Sequence, residues 1–384
     1  MNNKIGEYIY MILQTENLKN VCSKILAAVD SGDYSIFADT LQIKAKDGVL
    51  TLSVTNGEYF VKVTENVDEV DNFNATVNAN LFLKLISQIT TETVEFSCND
   101  KALTIKANGV YNLPLIYHED RVLELTEIKI DNPVKEFNID SEVLLSILNF
   151  NMVEITKNNT TRKPIQKLFY VDGSGAITWA SSACVNNFTL KEDVKLLLGV
   201  KLVKLFRLFK DGDVHFTLGF DKVQGDSTIQ TKVRFEWNNI TITAVLTCDD
   251  DLLSKVPVAA IRGRANGAYP FSVDVDKELL KSAITRLLLF SANKSNVMPY
   301  GIFEFKRDKV TIYDVGRENS ETLYYESSNV SDIDYVAPLD LVDIKATLDG
   351  CTEQLLTVNF GDGQCVSVVR GNVKNIVPEL NEDF

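Results

Sequence analysis

Apolar and polar residues alternate in three stretches that read alike: IFADTLQIKAKDGVLTLSVTN at 36–56, PIQKLFYVDGSGAITWASS at 164–182 and MPYGIFEFKRDKVTIYDVG at 298–316. Alternation with period two predicts half-buried strands. Each stretch is therefore a pair of strands around a short turn, at Asp47-Gly48, Gly173-Ser174-Gly175 and Arg307-Asp308. Thr51, Thr178 and Thr311 hold corresponding places, 127 and 133 residues apart, so the repeat has the length of a domain. A helical pattern precedes each hairpin, at 18–29, 143–155 and 279–290, with apolar residues such as Leu18, Val21, Cys22 and Ile25 spaced for one face. A second helix follows in every copy (80–90, 196–209 and 338–348), leading into a second set of strands.

Segments 116–133 and 248–267 are acidic or contain Gly and Pro, and they lack helical periodicity. They place boundaries near 130 and 260, giving domains over 1–130, 131–258 and 259–384. The Asp249-Asp250-Asp251 run reads as solvated linker, not as a metal cluster, because no other ligand type lies near it.

Composition adds a puzzle. The 384 residues hold 39 Lys and Arg against 53 Asp and Glu, a net charge of −14, which for an even distribution argues against nucleic acid. The distribution is uneven. The segments 17–30, 78–92, 141–157, 195–210, 277–294 and 338–349 together carry +6, leaving −20 on the remainder. Lys201, Lys204 and Arg207 fall on one side of the 195–210 segment, opposite Leu, Val and Phe. Lys19, Lys24, Lys84, Lys281 and Arg286 occupy polar faces of the other helical segments. Phosphate contact needs only such long-stemmed charges, without base-specific geometry.

The N-terminal stretch does not read as a signal peptide, and the longest apolar run is interrupted by Lys201, Lys204 and Arg207, so a cytoplasmic protein without a membrane anchor is expected. Six scattered cysteines without a C-x-x-C pair fit reduced thiols. Catalytic chemistry is scarce. His118 and His215 are the only histidines, and no phosphate-binding, nucleophile-elbow or zinc-protease motif occurs, so no enzyme, metal or cofactor is expected.

AKDGVLTLSVTN at 45–56, YNLPLIYHED at 111–120, SAITRLLLFSANKS at 282–295 and IVPEL at 376–380, taken in order and spacing, resemble the bacterial-type β sliding clamp. That family is the processivity subunit of the replicative DNA polymerase, the DNA polymerase III β subunit. The resemblance covers nearly the whole chain. It implies an α+β fold of three clamp domains, each with two helices packed on antiparallel sheets, and a head-to-tail homodimer forming a ring of six domains. Double-stranded DNA would be encircled without sequence readout, a DNA polymerase tethered, and an ATP-driven clamp loader required.

The same resemblance carries a partner-peptide pocket onto Ile165, Ser181, Ala183, Val185, Pro257, Val377 and Pro378, and a dimer interface onto Tyr111, Leu113, Leu289 and Phe290. Where the family usually reads Ala-Thr-Asp-Gly-His-Arg-Leu, this chain has Ala180-Ser181-Ser182-Ala183-Cys184-Val185-Asn186. The loop before Leu168 is shortened, and residues 381–384 extend the usual end. A dedicated partner set is expected, and a phage- or plasmid-encoded clamp fits these departures. The competing expectation is a β-rich structural or interaction protein, such as a virion component, that does not thread DNA.

Overall fold

A computed structural model describes residues 9–29, 37, 39–67, 72–156, 163–222, 229–291, 299–330 and 334–380. The 381–384 extension and most of the loop before Leu168 lie outside them.

The local unit is one strand, one helix and three antiparallel strands, and the chain runs through it six times. Paired units exchange their first strands. In the first pair, Ile9–Gln14 joins the three strands that follow the second helix, and Phe73–Asn78 joins the three that follow the first. The α+β class and the threefold recurrence of two helices with two sets of strands are as the patterns predict.

By compactness the chain falls into two units, 1–141 with 205–247, and 142–204 with 248–384. The first holds a four-stranded sheet in the order Ile9–Gln14, Thr93–Cys98, Ala102–Lys106, Val110–Pro114. Its eight-stranded sheet runs Pro133–Asp140, Asp213–Lys222, Ile229–Trp237, Ile240–Leu246, Tyr59–Asn66, Val49–Thr55, Thr40–Lys46, Phe73–Asn78. The second unit holds a nine-stranded sheet in the order Lys195–Gly199, Leu168–Asp172, Gly175–Trp179, Ala183–Asn187, Val373–Pro378, Cys365–Arg370, Leu355–Phe360, Phe271–Asp276, Ser327–Ser328. Its four-stranded sheet runs Ser320–Tyr324, Lys309–Tyr313, Tyr300–Phe305, Tyr335–Asp340. The middle repeat is thus shared, one of its sheets entering each unit.

Local chemistry accounts for these elements. Asp47 and Gly48 have φ of 52° and 76°, the left-handed pair that a two-residue hairpin requires. Helix Thr15–Leu26 buries Leu18, Val21, Cys22 and Ile25, a spacing of three and four residues; each side chain so buried contributes about 1.5–3 kcal/mol. Asn78 caps helix Ala79–Gln88 by accepting from the Leu81 amide at 2.8 Å, and Asp340 caps Leu341–Asp349 through the amides of Val342 and Asp343. All six cysteines are free thiols, and burial pushes Cys22 up to about 12.

Three expectations need correction. Residues 195–199 are a strand, because Leu196, Leu197 and Leu198 are all buried within a sheet and cannot lie on one face of a helix. The helix of that unit is only Val200–Lys204, followed by a 3-10 turn over Leu205–Leu208. Residues 335–340 are likewise a strand ahead of helix Leu341–Asp349. The 248–267 linker contains two helices, Asp250–Ser254 and Val258–Ala265. Asp249 caps the first of them, accepting from the Leu252 amide at 2.7 Å, which gives one member of the acidic run a structural task. Among the described residues no cluster of His, Cys, Asp or Glu could hold a metal ion, and no helix is long and apolar enough to cross a membrane.

Candidate functional site

The second unit contains an apolar cavity of about 270 Å³. Three elements meet around it: the turn between strands Gly175–Trp179 and Ala183–Asn187, the helix Val258–Ala265, and the end of the last strand, Val373–Pro378. Ala183 lies opposite Ile376 across the strand pair, which brings the turn beside the chain end. Four of the seven expected pocket residues line it, namely Ser181, Ala183, Pro257 and Pro378. Trp179, Ala180, Ser182, Ala260, Ile261, Arg264 and Ile376 complete the wall and were not among those expected.

The other three expected residues sit elsewhere. Ile165 packs on the apolar cluster that includes Trp179 and Ile261, and Val185 is buried inside that cluster. Val377 is fully buried in a different cluster with Leu339, Leu356 and Val366. Successive strand residues face opposite sides, so Ile376 and Pro378 reach the cavity and Val377 cannot.

Hydrogen bonds hold the walls. Ser181 Oγ donates to Asp343 Oδ2 and Ser182 Oγ to Glu154 Oε1, both at 2.8 Å, fixing the turn. The helix is fixed by Arg262, whose Nη1 and Nη2 donate to the two carboxylate oxygens of Asp172 at 2.8 and 2.7 Å. Asp172 Oδ1 also accepts from the Ser174 amide and hydroxyl. Burial raises the cost of charging Asp172, but these donors outweigh it and hold the carboxyl below its usual range. The neighbouring Tyr170 hydroxyl is pushed up to about 12 by burial and by Asp172.

The expected cations divide by partner. Lys84 and Lys204 are exposed and form no ion pair among the described residues. Arg207 is exposed and donates to the Ala27 carbonyl, Lys19 to the Ile89 carbonyl and Lys24 to Asn239 Oδ1; neutral acceptors leave their charge uncancelled. Lys201 is half-buried. Arg286 is different, held by two bonds of 2.6 and 2.8 Å to Glu321, so its charge is spent locally. Lys281 shares Asp349 with Lys345, each at 2.8 Å, and this trio keeps a net positive charge. With the observed bounds, and with the 3-10 turn Leu205–Leu208 counted with its helix, the six repeated helices carry +4 and the rest of the chain −18. The charge partition survives the shortening of its most basic segment.

No family model matches the chain. The beta sliding clamp of Mycoplasmopsis pulmonis (strain UAB CTIP) is 26% identical over 143 residues, 36% of this chain and 37% of that relative, so the match spans little over a third of the relative's length. Solved structures match throughout. The DNA polymerase β subunit of Streptococcus pyogenes superposes with a TM-score of 0.78 at 14% identity, covering 98% of this chain and 100% of that one. DNA polymerase III subunit beta of Borrelia burgdorferi gives 0.75 at 15% identity, with 98% of each chain covered. The fold is that of the β sliding clamp.

Among the described residues each four-stranded sheet of this clamp fold has two unpaired outer strands, one of which is Val110–Pro114 in the first unit and Ser320–Tyr324 in the second. Val110 and Tyr324 on these strands are 65% and 67% exposed. Helix Lys277–Ser291 packs beside Ser320–Tyr324, and its Leu289 and Phe290 are 66% and 50% exposed. Leu113 corrects the expectation for the first strand. It is buried in the sheet's core, because the strand alternates and Tyr111 is only half-buried between exposed Val110 and Asn112.

Proposed function

We propose that the chain is a sliding clamp: two copies join head to tail into a ring of six domains that encircles duplex DNA and tethers a DNA polymerase. In this reading each subunit has three domains, over 1–130, 131–258 and 259–384. The ring works in the cytoplasm, and an ATP-driven loader opens and closes it on DNA. The observation that carries the reading is the charge partition on this fold: the six repeated helices sum to a positive charge in a strongly acidic chain, with the net positive charge on four of them and the helices over 141–156 and 341–349 as exceptions. Cationic helices attract phosphates without reading bases, while acidic sheets and loops repel DNA from the other surfaces. Tethering then replaces affinity by effective concentration, so no catalytic group is needed. The apolar cavity suits a short apolar peptide from the polymerase or loader, and the outer strands Val110–Pro114 and Ser320–Tyr324 suit ring closure.

The deciding measurement compares retention on nicked circular DNA, with loader supplied, against the same DNA linearised. A ring stays on the circle and runs off the ends of the linear form; equal retention on both rejects the proposal. Changing Lys201, Lys204 and Arg207 together to Glu is expected to cut loading on circles by more than tenfold and to reduce the salt dependence by roughly three phosphate equivalents. Unchanged retention removes these residues from the DNA surface. Ala260 lines the cavity and is itself exposed, so Ala260→Trp fills the cavity at little cost to the core. It is expected to abolish polymerase stimulation while leaving the dimer intact by light scattering, and normal stimulation would sink the assignment of the pocket.

A further inference from the structure

The apolar cavity of the second unit has a counterpart in the first. There the turn after strand Val49–Thr55 contributes Thr55 and Gly57, and strand Ile240–Leu246, paired with Tyr59–Asn66, contributes Val245. These are the same structural places that the turn at 180–182 and the strand Val373–Pro378 hold in the second unit. The third wall in each case comes from the segment that follows the last strand of a repeat. In the second unit it is helix Val258–Ala265; in the first it is the extended stretch 123–129.

This second cavity is larger, about 590 Å³, a volume within the range of ligand pockets. Its wall is held in place. Asp221 is buried and accepts from the amides of Asp131 and Asn132, from the Asn132 side chain and from Lys232, whose ammonium also donates to the Lys129 carbonyl at 2.8 Å. The stretch that closes the cavity is therefore anchored at its end, as helix Val258–Ala265 is anchored through Arg262.

The lining is apolar at the base, with Leu123, Ile128 and Phe37 in one cluster. Around it stand four charges. Glu127 pairs with Lys62 at 3.1 Å, Glu124 lies 3.8 Å from Lys44, and Lys232 pairs with Asp221 at 3.1 Å. Lys129 has no carboxylate partner among the described residues. The one uncompensated charge of the lining is positive and sits next in sequence to an apolar anchor position.

We propose that this cavity is a second docking site, for an extended segment of a partner protein that places a large apolar side chain against Leu123 and Ile128 and a carboxylate against Lys129. The apolar base of Leu123, Ile128 and Phe37 suits an apolar side chain and gives a nucleic-acid backbone nothing to pair with. The site rests on the repeated topology and on its own lining, not on the clamp reading; a chain that failed to encircle DNA would keep it.

The test is selection of a phage-displayed random dodecapeptide library on the intact protein, repeated on Ala260→Trp, Lys129→Glu and Ile128→Asp variants whose melting curves match the parent. Two peptide classes are expected. One is lost on Ala260→Trp alone. The other survives Ala260→Trp, is lost on Ile128→Asp, and pairs an apolar residue with an acidic one; on Lys129→Glu its affinity falls about tenfold and reselection replaces the acidic residue by a basic one. Selection that gives no peptides sensitive to Ile128→Asp and Lys129→Glu overturns the proposal, as does a second class with no acidic preference.

Discussion

Arg262→Ala is expected to lower the stability of the second unit by about 2–4 kcal/mol in denaturant unfolding at neutral pH, more than an exposed ion pair could. The reason is the partner it leaves behind. Asp172 is buried, and without the guanidinium it keeps the two bonds from Ser174 and the neighbouring Tyr170 hydroxyl, all of them from neutral donors. The lower end of the range for a broken buried pair applies because the Arg262 side chain retains 23% exposure. A loss below about 1 kcal/mol would show that water or Ser174 already satisfies Asp172. Replacing both partners, as Arg262→Met with Asp172→Leu, removes the orphaned charge and is expected to recover most of the loss.

The same pair has a pH signature. Asp172 is held below its usual range when folded, so its contribution is fully present above the ordinary Asp value of about 4 and is lost as the pH falls through the depressed folded value. Acidification from pH 5 to pH 2 should therefore destabilise the parent more steeply than Arg262→Ala, and parallel curves would deny the pair this role. Since helix Val258–Ala265 forms one wall of the cavity, Arg262→Ala is also expected to weaken peptide binding while Ala260→Trp, made on the same helix, leaves stability unchanged.

What the sequence made legible was local. The Asp47-Gly48 turn, the buried spacing of Leu18, Val21, Cys22 and Ile25, and the repeat marked by Thr51, Thr178 and Thr311 all need only neighbours in the chain. Leu196–Leu198 defeated the helical reading because a short apolar run fits a buried strand and a helix equally. Helix Val258–Ala265 escaped notice because it buries only Ile261 and Ala265 and carries Gly263 between them. Parity misplaced two site residues: Val377 and Leu113 each stand one position from residues that do face the cavity or the solvent. Charge pairing was invisible for a different reason. Arg286 and Glu321 are 35 residues apart, and nothing in either helix or strand alone distinguishes a spent cation such as Arg286 from a free one such as Lys204.

Parity also separates the proposed interface from the core in the second large effect. Leu289→Asp combined with Phe290→Asp is expected to convert the dimer of the proposed ring into a monomer by light scattering, with a melting transition close to the parent's. Both side chains are at least half exposed, so charging them costs the single chain little, whereas an apolar residue at the centre of an interface is commonly worth 2 kcal/mol or more. Leu113→Ala should do the reverse. Buried beside Leu103 in the sheet of Val110–Pro114, it leaves a cavity and is expected to cost about 2–5 kcal/mol of folding stability without a specific effect on association. Two unlike sheet edges, each unpaired among the described residues, would form a heterologous contact, and such a contact closes into a ring only if the rotation between copies permits it. Retention on circular DNA should then disappear with Leu289→Asp and Phe290→Asp although every cation remains. A variant that is monomeric yet still retained on circles and released from linear DNA would break the link between ring closure and function.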